Sequence, residues 1–290
     1  MEIGLHIAKF NWPGSPESIG PTLARVAATA DQTGFSMLSV MDHLWQLDWN
    51  GEPEEEMLES YTTLGYLAAH TSRIPLLAWV TAATYRAPGL LAKAVTTLDV
   101  LSGGRAWLGI GAGFYEAEAS GLGLPLPPVA ERFEWLEETL RICLQMWSGS
   151  EAPFTGRHFQ LGRTLNSPQS LTRPHPPILV AGGGEKKTLR LVAQYAQACN
   201  VPDTPQLGHK LAVLRQHCAD VGRDYDEIRK TVIARLDIGP RGERAEEVLE
   251  HLGQLAALGV TQVQTQVVGV AEIKPLELFA ERVIPAAASL

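Results

Sequence analysis

LLAWVTAATYRAPGLLAKAVTTLDVLSGGRAWLGIGAGFYEAE, residues 76–118, is the stretch on which the reading of this chain turns. Residues 76–81 form an apolar run of strand length, too short for a helix of their own. Pro88 suits the first turn of a helix, where its missing N–H costs nothing. Leu91, Ala94, Val95, Leu98 and Leu101 follow at helical spacing and give one apolar stripe. Gly103-Gly104 ends that helix, because glycine adopts the left-handed cap conformation cheaply. Residues 106–110 make a second strand, which opens into Gly111-Ala112-Gly113. Two nearly continuous apolar strands joined by a helix predict a βαβ unit with parallel strands.

The same alternation extends outward in both directions. Strands are expected at residues 3–7 and 35–41 before this unit, and at 177–181, 198–201, 228–238 and 260–268 after it. Helical periods separate them, among them a long amphipathic one marked by Phe133, Leu136, Leu140, Cys143 and Trp147. Residues 150–176 have no clear period and many turn-formers, so they read as an insertion before the fifth strand, with a small strand at 159–161. Eight strand–helix units in 290 residues predict one α/β domain over residues 1–290, closed as a (β/α)₈ TIM barrel. An open doubly wound sheet is the alternative arrangement. In a barrel, function sits where strands end and loops begin. Here those positions are 10–12, 42–43, 80–84, 111–116, 182–186 and Asn200.

Charge and composition narrow the partners. The formal charge of −8 offers no general attraction to nucleic acid or anionic lipid. No segment approaches the roughly 18 apolar residues of a membrane span, so a cytoplasmic protein acting on a small molecule is expected. Cys143, Cys199 and Cys218 lack metal-site spacing, and no metal is expected. His6 stands alone on the first strand, without the second histidine of a metal-hydrolase pair, and reads as a packed histidine. Glu116 and Asp237 have nothing that positions them as a glycosidase pair, and a GxSxG elbow is missing.

Two places carry candidate chemistry. Gly182-Gly183-Gly184-Glu185-Lys186-Lys187 lies between a strand and a helix start. Glycines there let backbone N–H groups approach an anion, and the helix dipole adds favourable potential. Lys186 and Lys187 are expected in the first helical turn, where a bound phosphate would offset their unfavourable charge. Solvated lysines on a flexible turn are the bland reading of the same residues. The P-loop spacing is absent, and residues 109–113 lack the GxGxxG order of a dinucleotide site. Asp42-His43, at the end of the second strand, is the acid–base candidate. Successive strand residues face opposite ways, so one of the two is expected to look into the pocket. Phe10, Trp12, Trp45, Trp79, Phe114 and Tyr115 are expected around the same rim, where aromatic rings suit a flat ligand.

At these residues the chain resembles the bacterial luciferase-like monooxygenase superfamily, particularly its branch dependent on the deazaflavin coenzyme F420. The pieces that carry the resemblance are MDHL at 41–44, residues 85–114, ERFEWLEETLRICLQMW at 131–147 and RPHPPILVAGGGEKKTLRLVAQYAQACN at 173–200. The resemblance implies a (β/α)₈ barrel, commonly a homodimer, with a flavin or deazaflavin ring at the C-terminal mouth. It places the cofactor phosphate at Gly182, Gly183, Gly184, Glu185 and Lys186, with Lys187 and Arg190 toward the tail of the deazaflavin. It places Asp42 and His43 near the ring, Trp79-Val80 and Thr81 on a bulge behind it with a non-prolyl cis peptide, and Gly111, Ala112 and Gly113 beside it. The implied activity is hydride transfer between coenzyme F420 and an organic substrate, with His43 handling a proton and Asp42 in support. Sugar-phosphate dehydrogenases of the family carry acids near the positions of Phe10 and Phe114, so their substrate is not implied; an apolar or aromatic one is. Two alternatives stay open: an FMN-dependent monooxygenase, and a flavin-binding barrel without turnover.

Overall fold

The computed structural model describes residues 1–290. In chain order the first half holds β1 (Glu2–Ile7), α1 (Ile19–Gln32), β2 (Leu38–Val40), α2 (Ser60–Ala69), β3 (Leu76–Ala78), β4 (Thr81–Ala82), α3 (Pro88–Ser102), β5 (Ala106–Gly111), α4 (Glu116–Gly121) and α5 (Val129–Trp147). The second half holds β6 (Phe154–Thr155), β7 (Gln160–Leu161), β8 (Ile178–Ala181), α6 (Thr188–Tyr195), β9 (Ala198–Asn200), α7 (Leu207–Val221), β10 (Arg229–Ala234), α8 (Ala245–Ala257), β11 (Gln262–Thr265), α9 (Lys274–Arg282) and α10 (Ile284–Ala287). Every pairing in the main sheet is parallel, and the order β1-β2-β3-β5-β8-β9-β10-β11 returns to β1. The sheet is therefore a closed eight-stranded (β/α)₈ barrel, not an open doubly wound sheet.

The decisive βαβ unit forms for the reasons its sequence suggests. Pro88 is the first residue of α3, and Gly103 ends it at φ 74°. Leu91, Val95 and Leu98 are buried against the barrel. Leu76 pairs with Ala106, which closes the barrel between β3 and β5. The strand expected at 76–81 is broken, however. β3 stops at Ala78, the Trp79–Val80 peptide is cis, and β4 resumes at Thr81 against β5. The apolar run conceals this break because Trp79 and Val80 continue its pattern.

Glycines on β5 make room for that bulge. A Cβ on Gly109 would lie 2.2 Å from the Ala78 carbonyl oxygen, and one on Gly111 would lie 3.3 Å from Val80 Cγ2. The glycine spacing at 109–113 thus serves close strand approach.

Inside the barrel, His6 is a packed histidine: it is buried, and its Nδ1 lies 2.9 Å from Ser39 Oγ. Gln264 donates to the same hydroxyl and to the Leu5 carbonyl. The expected strand at 228–238 ends at Ala234, because the next inward N–H, on Leu236, donates to the Thr265 hydroxyl. The segment 150–176 carries the antiparallel hairpin β6–β7, whose turn donates the N–H groups of Arg157, His158 and Phe159 to the Glu138 carboxylate. Cys143 is a buried apolar residue of α5, as its position on the stripe predicts. No helix is long and apolar enough to cross a membrane.

Candidate active site

A cavity of about 290 Å³ opens at the C-terminal ends of β2, β4, β5 and β8. Its lining brings together Asp42, His43, Val80, Thr81, Gly111–Gly113 and Gly182, all expected from the sequence. Much of that surface is backbone or short side chain, which suits a flat ligand lying close.

Asp42 is fully buried and its carboxylate is fully engaged. Arg86 donates twice, at 2.6 Å to Oδ2 and 3.0 Å to Oδ1, and the Ser60 hydroxyl donates at 2.8 Å. Arg86 also reaches the Glu59 carboxylate and lies over the Tyr61 ring, 4.7 Å from its centre. Burial alone would lower the Arg86 pKa; the charge and hydrogen bonds of Asp42 more than offset it and raise it. Asp42 therefore holds the end of β2 in place, its charge balanced by Arg86.

His43 is placed differently. Its ring lines the cavity, with Phe114 and Tyr115 packed edge-on at 5.5 and 5.8 Å between ring centres. Its Nδ1 lies 3.0 Å from Oε2 of Glu118, a fully buried residue of α4. Glu118 also accepts the N–H groups of Leu44 and Trp45 and the Tyr85 hydroxyl. Burial pushes the Glu118 pKa up, but the hydrogen bonds from His43, Tyr85 and Trp45 outweigh it and hold the carboxyl below its ordinary value. The sequence reading does not single out Glu118, Tyr85 or Arg86; their partners lie 27 to 75 residues away, so no local pattern marks them.

The glycine turn is only partly as expected. Gly182, at φ 126°, and Thr188 line the cavity. The backbone N–H groups of Gly183 and Gly184 find no acceptor in the protein and sit ahead of the α6 N-terminus. That helix begins at Thr188, so Lys186 and Lys187 precede its first turn instead of filling it. The Gly184–Thr188 approach explains the delay: a Cβ at Gly184 would lie 2.8 Å from Thr188 Oγ1, so the chain turns tightly before the helix starts. The Glu185 carboxylate points away, toward Lys210 and His209 on α7. Lys187 lies over the Phe133 ring and Arg190 faces Glu137, whereas Lys186 has no carboxylate partner.

The expected aromatic rim is rearranged. Only Phe114 lines the cavity, 56% exposed and stacked on Trp49 at 5.8 Å. Phe10 is fully buried in the core. Tyr115 is buried and donates its hydroxyl to Asp48, and Trp45 packs over Gly121, where a Cβ would lie 2.1 Å from its ring. Trp79 is buried behind Val80, and Trp12 lines a second mouth cavity of about 310 Å³ with Trp49 and Arg235. Flanking loop geometry, which period and spacing do not report, decides these positions.

The description of luciferase-like monooxygenases matches residues 1–280. The chain belongs to the luciferase-like monooxygenase family. This luciferase-like chain is 29% identical over 257 residues to an F420-dependent glucose-6-phosphate dehydrogenase of Nakamurella multipartita, covering 86% of this chain and 73% of the relative. Its fold is shared with a coenzyme F420-dependent tetrahydromethanopterin reductase from Methanopyrus kandleri, at TM-score 0.79, 19% identity and 98% of each chain. It is shared also with a type II Baeyer–Villiger monooxygenase of Pseudomonas putida in complex with FMN, at TM-score 0.75, 18% identity and 98% of each chain. The non-prolyl cis peptide that the resemblance implied at Trp79–Val80 is present, and Val80 lines the cavity.

Proposed function

We propose that this luciferase-like protein is a coenzyme F420-dependent oxidoreductase that passes hydride between the deazaflavin and an apolar or aromatic organic substrate. The observation that carries the reading is a cavity with a buttressed histidine at one end and Gly182 at the other, where the chain runs on into Gly183 and Gly184, whose N–H groups have no acceptor in the protein. The residues fit such a group. Val80, Gly111 and Ala112 offer a flat, mostly apolar floor, and the donors of Gly183 and Gly184 suit a phosphate at the helix N-terminus. When bound, the deazaflavin supplies the hydride chemistry. The chain's own part is to hold the ring against that floor, to bind the phosphate with backbone donors and Lys186, and to exchange a proton at His43. A cleft lined by Lys186, Lys187 and Arg190 continues beyond the glycine turn, which favours a cofactor with further negative charge past its phosphate. The relative named above as F420-dependent supports the same choice. Its sugar phosphate is not carried over, because Phe114 stands at the rim where an acid would be needed. The reading takes the protein to work in the cytoplasm as a homodimer.

The FMN-bound structural neighbour keeps a second reading, an FMN-dependent monooxygenase, in view. Both cofactors carry a flat tricyclic ring and a phosphate, so the floor and the glycine turn serve either. Side-by-side equilibrium titrations at several salt concentrations decide between them. Tighter, salt-sensitive F420 binding is expected; tighter FMN binding, or F420 affinity indifferent to salt, would overturn the choice.

A further inference from the structure

We propose that Glu118 is a positioning residue for His43, keeping the proton on Nδ1 so that Nε2 is the nitrogen presented to a ligand in the cavity. Its relevance to turnover rests on the reading of His43 given above; the proton's place on the ring does not.

The geometry leaves little choice. Glu118 is 0% exposed, and its two oxygens accept from His43 Nδ1, two consecutive backbone N–H groups and a phenol. Those donors come from His43–Trp45 in the loop after β2 and from Tyr85 after β4, so the carboxylate ties both segments to its own helix α4. Every other contact on it is a donor, which favours the ionised form, and an ionised carboxylate only accepts. The proton between the two groups must therefore sit on Nδ1. Nε2 makes no hydrogen bond within the protein, and His43 is part of the cavity wall. Edge contacts from Tyr85, Phe114 and Tyr115 limit rotation of the ring. Nε2 then accepts a proton when the ring is neutral and donates one when it is charged. A third group orienting the base in this way is a general requirement for proton transfer in a defined direction.

The test reads the ring directly. Long-range ¹H–¹⁵N correlation spectra of the full chain without cofactor, at a pH where the ring is neutral, are assigned by the signal lost in His43→Gln. Nδ1–H with a bare Nε2 is expected in the wild type and in Glu118→Asp, which keeps a carboxylate. Glu118→Gln should lose that preference and show a mixture of both forms. Adding coenzyme F420 as the probe should then shift Nε2 and leave Nδ1 nearly in place. An Nε2–H ring in the wild type overturns the proposal, even if Glu118→Gln does not fold. An unchanged Nδ1–H form in folded Glu118→Gln overturns it as well. Failure of F420 to bind would count against the cofactor reading alone, since the ring form is measured in the free protein.

Discussion

Arg86 bears the heaviest electrostatic load of any residue near the mouth. It neutralises Asp42 inside the protein, and the pair is anchored by Ser60 and Glu59. Removing one partner of a buried pair costs about 3–5 kcal/mol, mostly because the other charge is stranded. Arg86→Ala should lower the urea midpoint accordingly, while Asp42→Asn added to it should recover part of the loss; no recovery would mean the pair is not coupled as drawn. Lys186 bears a different load. It has no carboxylate partner and stands beside the glycine turn, so it is available to a bound anion. A charge-assisted contact of this kind corresponds to roughly a 10- to 150-fold change in affinity. Lys186→Ala should weaken F420 binding by that factor in titrations, and unchanged affinity in the folded variant would remove Lys186 from the site.

At the scale of elements, β5 is shaped by what it must not carry. Its glycines admit the Trp79–Val80 bulge that floors the cavity, and the tolerances differ sharply. At Gly109 the obstacle is a backbone oxygen 2.2 Å away, which cannot swing aside; at Gly111 it is a valine methyl at 3.3 Å. Gly109→Ala is expected to cost at least about 3 kcal/mol or to prevent folding, and Gly111→Ala about 1 kcal/mol, by the usual penalties of overpacking. Equal effects in thermal melts would contradict the geometry. These elements also show what the sequence makes legible. The alternation of buried strands and amphipathic helices is plain, because a strand covered on both faces must be apolar and α3 must present a stripe. The break after Ala78 is hidden, since Trp79 and Val80 are as apolar as their neighbours. The delayed start of α6 is hidden too, because lysines are good helix formers and nothing local reveals the Gly184–Thr188 contact. Glu118 is the hardest case: its meaning depends on His43, 75 residues earlier.

For the molecule as a whole, the buried His6 sets the acid limb of stability. Burial lowers its pKa to about 3, from an ordinary 6.5. Below pH 6.5 the unfolded chain takes up a proton that the folded chain refuses, so the unfolded state binds more protons and stability falls as pH falls. The slope reaches about 1.4 kcal/mol per pH unit and persists toward pH 3. Glu59 and Glu118, both held below the ordinary carboxylate range, add their losses only at lower pH, as they are protonated. Between pH 6.5 and 4.5 the wild type should therefore lose about 2–3 kcal/mol in urea titrations, and His6→Asn should flatten that limb. An unaltered limb in His6→Asn would assign the acid sensitivity elsewhere.

The division between a floor of backbone and glycine and a rim of exposed rings has an evolutionary corollary. Trp49 and Phe114, 71% and 56% exposed, stack on each other; Phe114 also meets His43 edge-on, whereas Trp49 lines only the second cavity. Barrel closure rests on strand pairing, as between β3 and β5, and on neither ring. On the proposed reading of the site, substrate preference can thus shift at an exposed ring such as Trp49 while the scaffold keeps its melting point, so that the diet of the enzyme and the durability of its frame are free to drift apart.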